Sequence, residues 1–432
     1  MNPYILIISL CSIIILSFFF NIISKKTNIP SVLLLIALGI GIKYSMDYYG
    51  LIDEDLKLNT ILEILGNIGL VMIVLEAALD LKLEKKKAKL ILKSFIVAIL
   101  CLVGSMFGIG YLFVYIFPGT TLYTALIYAI PLSIMSSAII IPSVNKLNTE
   151  KREFMVYEST FSDIIGIMVF YFMIGAQSSV EGTGLFWNIS MNILSTIILS
   201  TILSYIMVYL FQHLTMQVKL FLIIAVLLML FAIGKYFHLS SLLIILTFGL
   251  ILNNTEVFFR GKLSRFFNKE KVEPILRDFH VLTLESAFLI RTFFFVVFGL
   301  SISLASLYDF EVTMNSLAIV GILYFIRLLC LKIFAKKFIF PELFIAPRGL
   351  ITVLLFFVLI KSDNVNIPDF DTGLLLYPIL ITSIVMMFAL ISHRGEKVTD
   401  VIIKNIPLLS KDKAESETQE RIDGNPDDVE QE

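Results

Sequence analysis

Acidic and hydroxyl side chains crowd one short stretch of an otherwise apolar run, Glu158-Ser-Thr-Phe-Ser-Asp163. The ten residues after Asp163, Ile-Ile-Gly-Ile-Met-Val-Phe-Tyr-Phe-Met, carry no charge. Helical spacing sorts the polar groups by face. Ser159 and Asp163 are four apart and share one face, and Glu158 and Ser162 share another. Glu158 and Asp163 differ by five positions, ~140° around the axis, so they need not address the same partner. That separation permits a division of labour, with one carboxylate neutralised by a buried arginine and the other free to titrate. With helix entry near Phe154, Asp163 lies about 14 Å deep, close to the bilayer midplane. An ionised carboxylate costs several kcal/mol there and faces a partner or a water-filled path. A structural aspartate locked in a buried ion pair is the plainer alternative; a group that carries an ion is the sharper one. Asp163, the Ser159 hydroxyl and an opened backbone nearby offer the hard oxygen ligands that suit an alkali cation.

The opened backbone is expected at two places. Pro131 and Pro142 flank Ser136-Ser137 in one apolar run, and Ala346-Pro347-Arg348-Gly349 interrupts another. Proline removes a backbone donor and clashes with the preceding turn, so both helices should open near their centres. Unwound backbone is not tolerated against lipid, so both breaks must face protein or a cavity. Paired interruptions in the two halves of a chain point to a secondary-transporter site at an inverted-repeat interface, although single proline kinks are common in membrane helices. Further charges inside apolar runs also need partners: Glu76, Arg327 and Arg348, with Glu285 and Arg291 as a pair within one span.

The chain that must hold these groups has 432 residues, 58% hydrophobic and 16% charged, with mean hydropathy +0.90. No soluble fold hides that much apolar surface, so the expectation is an all-α polytopic membrane protein. Apolar runs fall at about 4–23, 29–46, 61–79, 91–117, 122–145, 154–175, 185–211, 218–236, 239–254, 281–305, 315–334, 343–361 and 373–391, which makes about 13 helices. Lys and Arg collect in alternate loops, such as Lys82 to Lys93 and Lys332 to Lys337. Acidic residues such as Asp53 to Asp55 and Asp309 to Glu311 mark the other set. The positive-inside rule then puts the N-terminus outside and the C-terminus in the cytoplasm, as an odd number of spans requires. Residues 1–400 read as the transmembrane domain and 401–432 as an acidic, unfolded cytoplasmic tail. Net charge is −1, which gives no reason to expect nucleic acid. Three cysteines lie within apolar runs and four histidines make no HExxH, so no disulfide, zinc-protease or cofactor chemistry is expected. No GxGxxG or Walker pattern occurs.

Five stretches resemble the monovalent cation/proton antiporters, in that family's order. Ile64 to Leu81, containing Glu76, looks like the third helix, where the family carries Phe-Glu-Gly-Gly-Leu. Glu158-Ser159-x-x-Ser162-Asp163 is similar to the Glu-Ser-x-x-Asn-Asp motif of the electroneutral, NhaP-like sodium/proton exchanger branch. Phe237-His-Leu-Ser-Ser-Leu-Leu with Gly249-Leu resembles the eighth-to-ninth helix turn. Ile322-Leu-Tyr-Phe-Ile-Arg327 and Ala346-Pro347-Arg348-Gly349 resemble the two arginine-bearing helices. The likeness implies an inverted-repeat antiporter fold with two broken crossing helices and a homodimer in the cell membrane, here a bacterial inner membrane. It implies that the transported ion, Na⁺ or else K⁺ or Li⁺ exchanged for H⁺, binds Asp163. Ser159, Ser162, Ser136 and Ser137 would lie around it, Glu76 would support the pathway, and Glu158 would pair with Arg327. Arg348 would support the core. Two departures stand out. Ser136-Ser137-Ala138 replaces the branch's Thr-Asp-Pro, a fifth helix closer to potassium-efflux proteins, and Ser162 replaces an Asn whose helix-tethering amide is thereby weakened or moved. The rivals are a potassium-efflux transporter, a gated potassium channel, which predicts no obligatory proton movement, and an intramembrane aspartyl enzyme, which needs a second midplane aspartate that the sequence does not offer.

Overall fold

A computed structural model of the chain describes residues 3–27, 29–48, 58–83, 85–144, 147–177, 194, 198–206, 209, 219–236, 241–258, 269–301, 310–335, 339–360, 367–368, 370–371 and 373–405. The described residues form helices, turns and extended connections, with no strand among them. The main helices are α1 (Pro3–Thr27), α2 (Ser31–Tyr48), α3 (Leu58–Asp80), α4 (Ala88–Ile116), α5 (Leu122–Ser133), α6 (Ser137–Ser143), α7 (Thr149–Gln177), α8 (Lys219–Tyr236), α9 (Ser241–Asn253), α10 (Lys269–Ser301), α11 (Phe310–Phe334), α12 (Leu350–Ile360) and α13 (Gly373–Asn405). Eight stretches among the described residues are long and apolar enough to cross a membrane. The span expected at 185–211 lies mostly outside the described residues, of which 198–206 are helical. The acidic tail from 406 onward also lies outside them, and α13 continues to Asn405, past the boundary drawn at 400.

The helices pack as two bundles. In one, α10 lies against α2 and α3, α3 against α9, α9 against α8, and α1 against α2. Close approach of α2 and α10 depends on Gly39 and Gly299, where an added Cβ would run into the carbonyls of Val296 and Ile36 on the facing helix. Small residues of this kind let membrane helices gain contact where no hydrophobic drive between them exists. In the other bundle, α4 packs on α5, α7 and α11, α11 on α13, and α12 on α5. The bundles meet mainly where α3 touches α7 and α12, and where α9 touches α7.

The second bundle uses one pattern twice: a long helix, an interrupted crossing, then a long helix. In the first half α5 begins at Thr121, whose Oγ1 accepts from Thr124 N at 3.2 Å. It ends at Ser133, and Ile134 and Ser136 are extended, with φ −78° and −83°. The break lies between the two prolines, as expected. In the second half the outcome differs. A helix interrupted at its centre was expected over 343–361, whereas Pro341–Phe344 form a turn, 345–349 are extended and only Leu350–Ile360 are helical. Pro347 drives the residue before it out of the helical region, and no helical half forms among the described residues ahead of it.

Candidate functional site

The two breaks cross and bond to each other. Ser136 N donates to Pro347 O at 2.9 Å. An added Cβ on Gly349 would stand 2.5 Å from Ser136 Oγ, so the crossing is as close as a side-chain-free backbone allows. Interrupting a helix strands donors that cannot be left bare in a dry interior. Here α7 supplies the acceptors. Met135 N donates to Ser162 Oγ at 3.0 Å, and Ser137 N donates to Asp163 Oδ2 at 3.2 Å. On the other strand of the crossing, Arg348 N donates to Thr382 Oγ1 of α13 at 3.1 Å. The serine at 162 therefore does tie α7 to the broken segment, through its hydroxyl in place of the amide.

Asp163 is only 2% exposed. The Ser137 hydroxyl faces its carboxylate together with the Ser137 N–H, while Oδ1 has no hydrogen-bond partner among the described residues. The carboxylate borders a cavity of about 10 Å³ walled by Ile73, Val74 and Ala77 of α3, Ile164 and Ile167 of α7, and Ile351 of α12. A space of that size is at the lower limit for one water molecule. It lies where the two bundles meet. Ser159 is fully buried, and its Oγ donates to Val156 O at 3.2 Å, leaving its lone pairs available. Ser136 and Ser137 are buried at the crossing. Among the described residues no group of three His, Cys, Asp or Glu side chains converges as for a multivalent metal. The site therefore offers one carboxylate among neutral hydroxyl and backbone oxygens.

Several of the other charges inside the helices are paired. Glu158, on the side of α7 turned away from Asp163, forms a two-armed pair with Arg327. Nη1 reaches Oε1 at 2.6 Å and Nη2 reaches Oε2 at 3.1 Å. Arg327 Nε and Nη2 also donate to Glu342 O at 3.1 and 2.9 Å, and Nη1 lies 2.9 Å from Met135 Sδ in the break. Every nitrogen of this guanidinium is thereby used. Glu342, fully buried, takes Lys151 of α7 at 3.1 Å. Glu76 pairs with Arg291 of α10, whose Nη1 reaches its two oxygens at 3.0 and 2.8 Å. One turn further along α3, Asp80 holds His280 at 2.9 Å.

The expected pairing of Arg291 with Glu285 is therefore not found. Six positions on one helix place two side chains ~120° apart, and Glu285 is exposed on another face of α10 while Arg291 reaches across to α3. Arg348 is 3% exposed, and its Nε and Nη1 have no partner among the described residues. Sequence reasoning missed Glu342, Lys151 and Thr382. Glu342, one residue past Pro341 in an apolar run, was the one of these with a visible signal, an isolated acid with nowhere to be solvated.

Residues 13–392 match the family described as "Sodium/hydrogen exchanger, transmembrane". Among solved structures, the chain is similar to the sodium proton antiporter MjNhaP1 of Methanocaldococcus jannaschii at pH 8, with TM-score 0.64 and 18% identity over 90% of this chain and 98% of that one. It is also similar to the electron-microscopy map of that antiporter, with TM-score 0.65 and 17% identity over 94% and 100% of the two chains. Identity this low speaks for the fold alone, and the fold is that antiporter's. A search of curated proteins finds no match.

Proposed function

We propose how this chain, which belongs to the sodium/hydrogen exchanger family and is therefore a multi-pass monovalent cation/proton antiporter, performs its exchange: Asp163 is the single carrier, loaded with one proton or one cation. The observation that carries this reading is the unpartnered Oδ1 of a buried carboxylate at the meeting of the two bundles. Oδ2 is engaged by the Ser137 N–H. The proton and the cation therefore want the same oxygen, and occupancy by one excludes the other. Hydroxyl or backbone oxygens of Ser136, Ser137 and Ser159 complete the cation's shell, and Ser162 holds the break in register. Glu158 and Arg327 form a structural pair, Arg348 supports the crossing, and Glu76 assists the pathway from the facing bundle. A potassium channel has no support in the family match.

Exposure alternates when the bundle of α4–α7 and α11–α13 moves against the bundle of α1–α3 and α8–α10, carrying Asp163 across the sparse contact between them. The bundle of α1–α3 and α8–α10 would be the fixed dimer-forming part of a homodimer in the cell membrane. The N-terminus would lie outside and the C-terminus in the cytoplasm. Na⁺ is the expected cation, with K⁺ and Li⁺ as the ions to compare.

The test is Asp163→Asn in proteoliposomes, which keeps the shape and removes the titrating charge. Wild type should move protons, followed by an internal pH dye, in response to at least one of Na⁺, K⁺ or Li⁺. The variant should move none while keeping the wild-type gel-filtration profile. Cation-driven proton flux in folded Asp163→Asn would refute the carrier assignment.

A further inference from the structure

Two arginine–glutamate pairs flank Asp163, and they are built differently. Arg327 meets Glu158 with two nitrogens, its remaining donor capacity goes to the Glu342 carbonyl, and its side chain is 3% exposed against 0% for Glu158. Arg291 meets Glu76 with one nitrogen, Nη1, which serves both oxygens, and the side chains are 19% and 11% exposed. A two-armed, fully satisfied arginine is held in a fixed geometry; a single nitrogen on a partly open carboxylate leaves it free to let go. Glu76 also sits between residues of α3 that wall the Asp163 cavity, with Val74 two positions before it and Ala77 next to it. Its charge and that of Asp163 act on each other. The groups that face Glu76 are Arg291 and His280 from α10, Asp80 from its own helix and Asp163 from α7.

We infer that Arg291 is the internal competitor of the transported cation for Glu76: in this conformation it withholds that carboxylate, and an arriving cation takes it over. Arg291 thereby sets cation affinity without touching the carrier. This rests on Asp163 being the cation site. With Arg291 in place, the site offers the incoming ion one free carboxylate and one that must be exchanged away from a guanidinium. Binding is kept weak enough for release on the far side. With Arg291 gone, Glu76 adds its full negative charge across one helix–helix contact. A unit charge at ~8–10 Å, in a medium between protein and water, changes affinity by roughly tenfold.

The experiment compares Arg291→Gln in two backgrounds, wild type and Glu76→Gln, at alkaline pH where proton competition is slight. In the wild-type background Arg291→Gln should lower the cation KM roughly tenfold and lower kcat, because release slows. In the Glu76→Gln background the same change should leave KM where Glu76→Gln alone sets it. Arg291→Lys should keep KM within about twofold of wild type. A KM that rises, or that falls equally in both backgrounds, overturns the competition, since a merely structural arginine would change stability and kcat without this dependence on Glu76. These shifts are read in variants that still exchange, so their outcome is separate from that of Asp163→Asn. Should Arg291→Gln not fold, the unmodified protein carries the test. Phenylglyoxal modification at Arg291, read by peptide mass spectrometry, should be faster in saturating Na⁺ than in choline, because the cation frees the guanidinium. Equal rates in the two buffers overturn the proposal.

Discussion

Removing one partner of the Glu158–Arg327 pair should cost more than removing both, and the two single losses should not be equal. Glu158→Gln leaves a guanidinium whose side chain is 3% exposed facing an amide. Stranding a buried charge in this way costs about 3–5 kcal/mol. Arg327→Gln strands the fully buried Glu158 carboxylate in the same way, and it also takes two donors from the Glu342 carbonyl, at 2.9 and 3.1 Å. That carbonyl keeps only the Ile345 N–H, at 3.2 Å, and the loss of hydrogen bonds from a charged donor adds about 1.5–3 kcal/mol. Arg327→Gln should therefore be the more damaging single change by that margin. The double variant should recover about 3–5 kcal/mol relative to Arg327→Gln, because no bare charge remains. It should stay less stable than wild type, since the Glu342 carbonyl still lacks the two guanidinium donors. The assay is equilibrium unfolding of the purified protein in mixed detergent–SDS micelles, followed by near-UV circular dichroism for all four proteins. A double variant no more stable than Arg327→Gln would refute the pairing as an energetic unit. Equal costs for the two singles would refute the part assigned to Glu342.

Two further outcomes follow from the crossing and the single carrier. Gly349→Ala places a methyl 2.5 Å from Ser136 Oγ, so the breaks must part, and exchange measured in liposomes should fall at least tenfold with the apolar helices still folded by far-UV circular dichroism. Exchange should be electroneutral, one cation per proton, with rates falling at acid pH as protons hold Asp163 and again at alkaline pH as too few protons return. Clamping liposomes at several potassium–valinomycin potentials, with a cation other than potassium as substrate, checks this. An equilibrium cation gradient that shifts with voltage would refute it.

What burial makes expensive was legible in the residues alone. A carboxylate at Asp163 with no charge in the ten residues after it, two prolines around Ser136-Ser137, and Ala346-Pro347-Arg348-Gly349 each violate the ordinary economy of a membrane helix, so each was visible in the chain itself. The helical period likewise separated Glu158 from Asp163, and these two do face different neighbours: Arg327 on one side, the crossing and α3 on the other. Partners across helices were another matter. Glu76 and Arg291 are 215 positions apart and Lys151 and Glu342 are 191 apart. Nothing in a local period says which of several buried acids a given arginine will meet. That choice was decided by packing: α3 lying on α10 gives Glu76 to Arg291 and leaves Glu285 on another face. Tertiary structure also decided the fate of the second break. Proline at 347 foretold an interruption, but whether helix resumed ahead of it depended on where the freed backbone groups found partners. Arg327 takes the Glu342 carbonyl, Ser136 takes that of Pro347, and Thr382 receives Arg348 N. A chain whose polar backbone is satisfied from three neighbouring elements needs no helix of its own there, and so 345–349 stay extended.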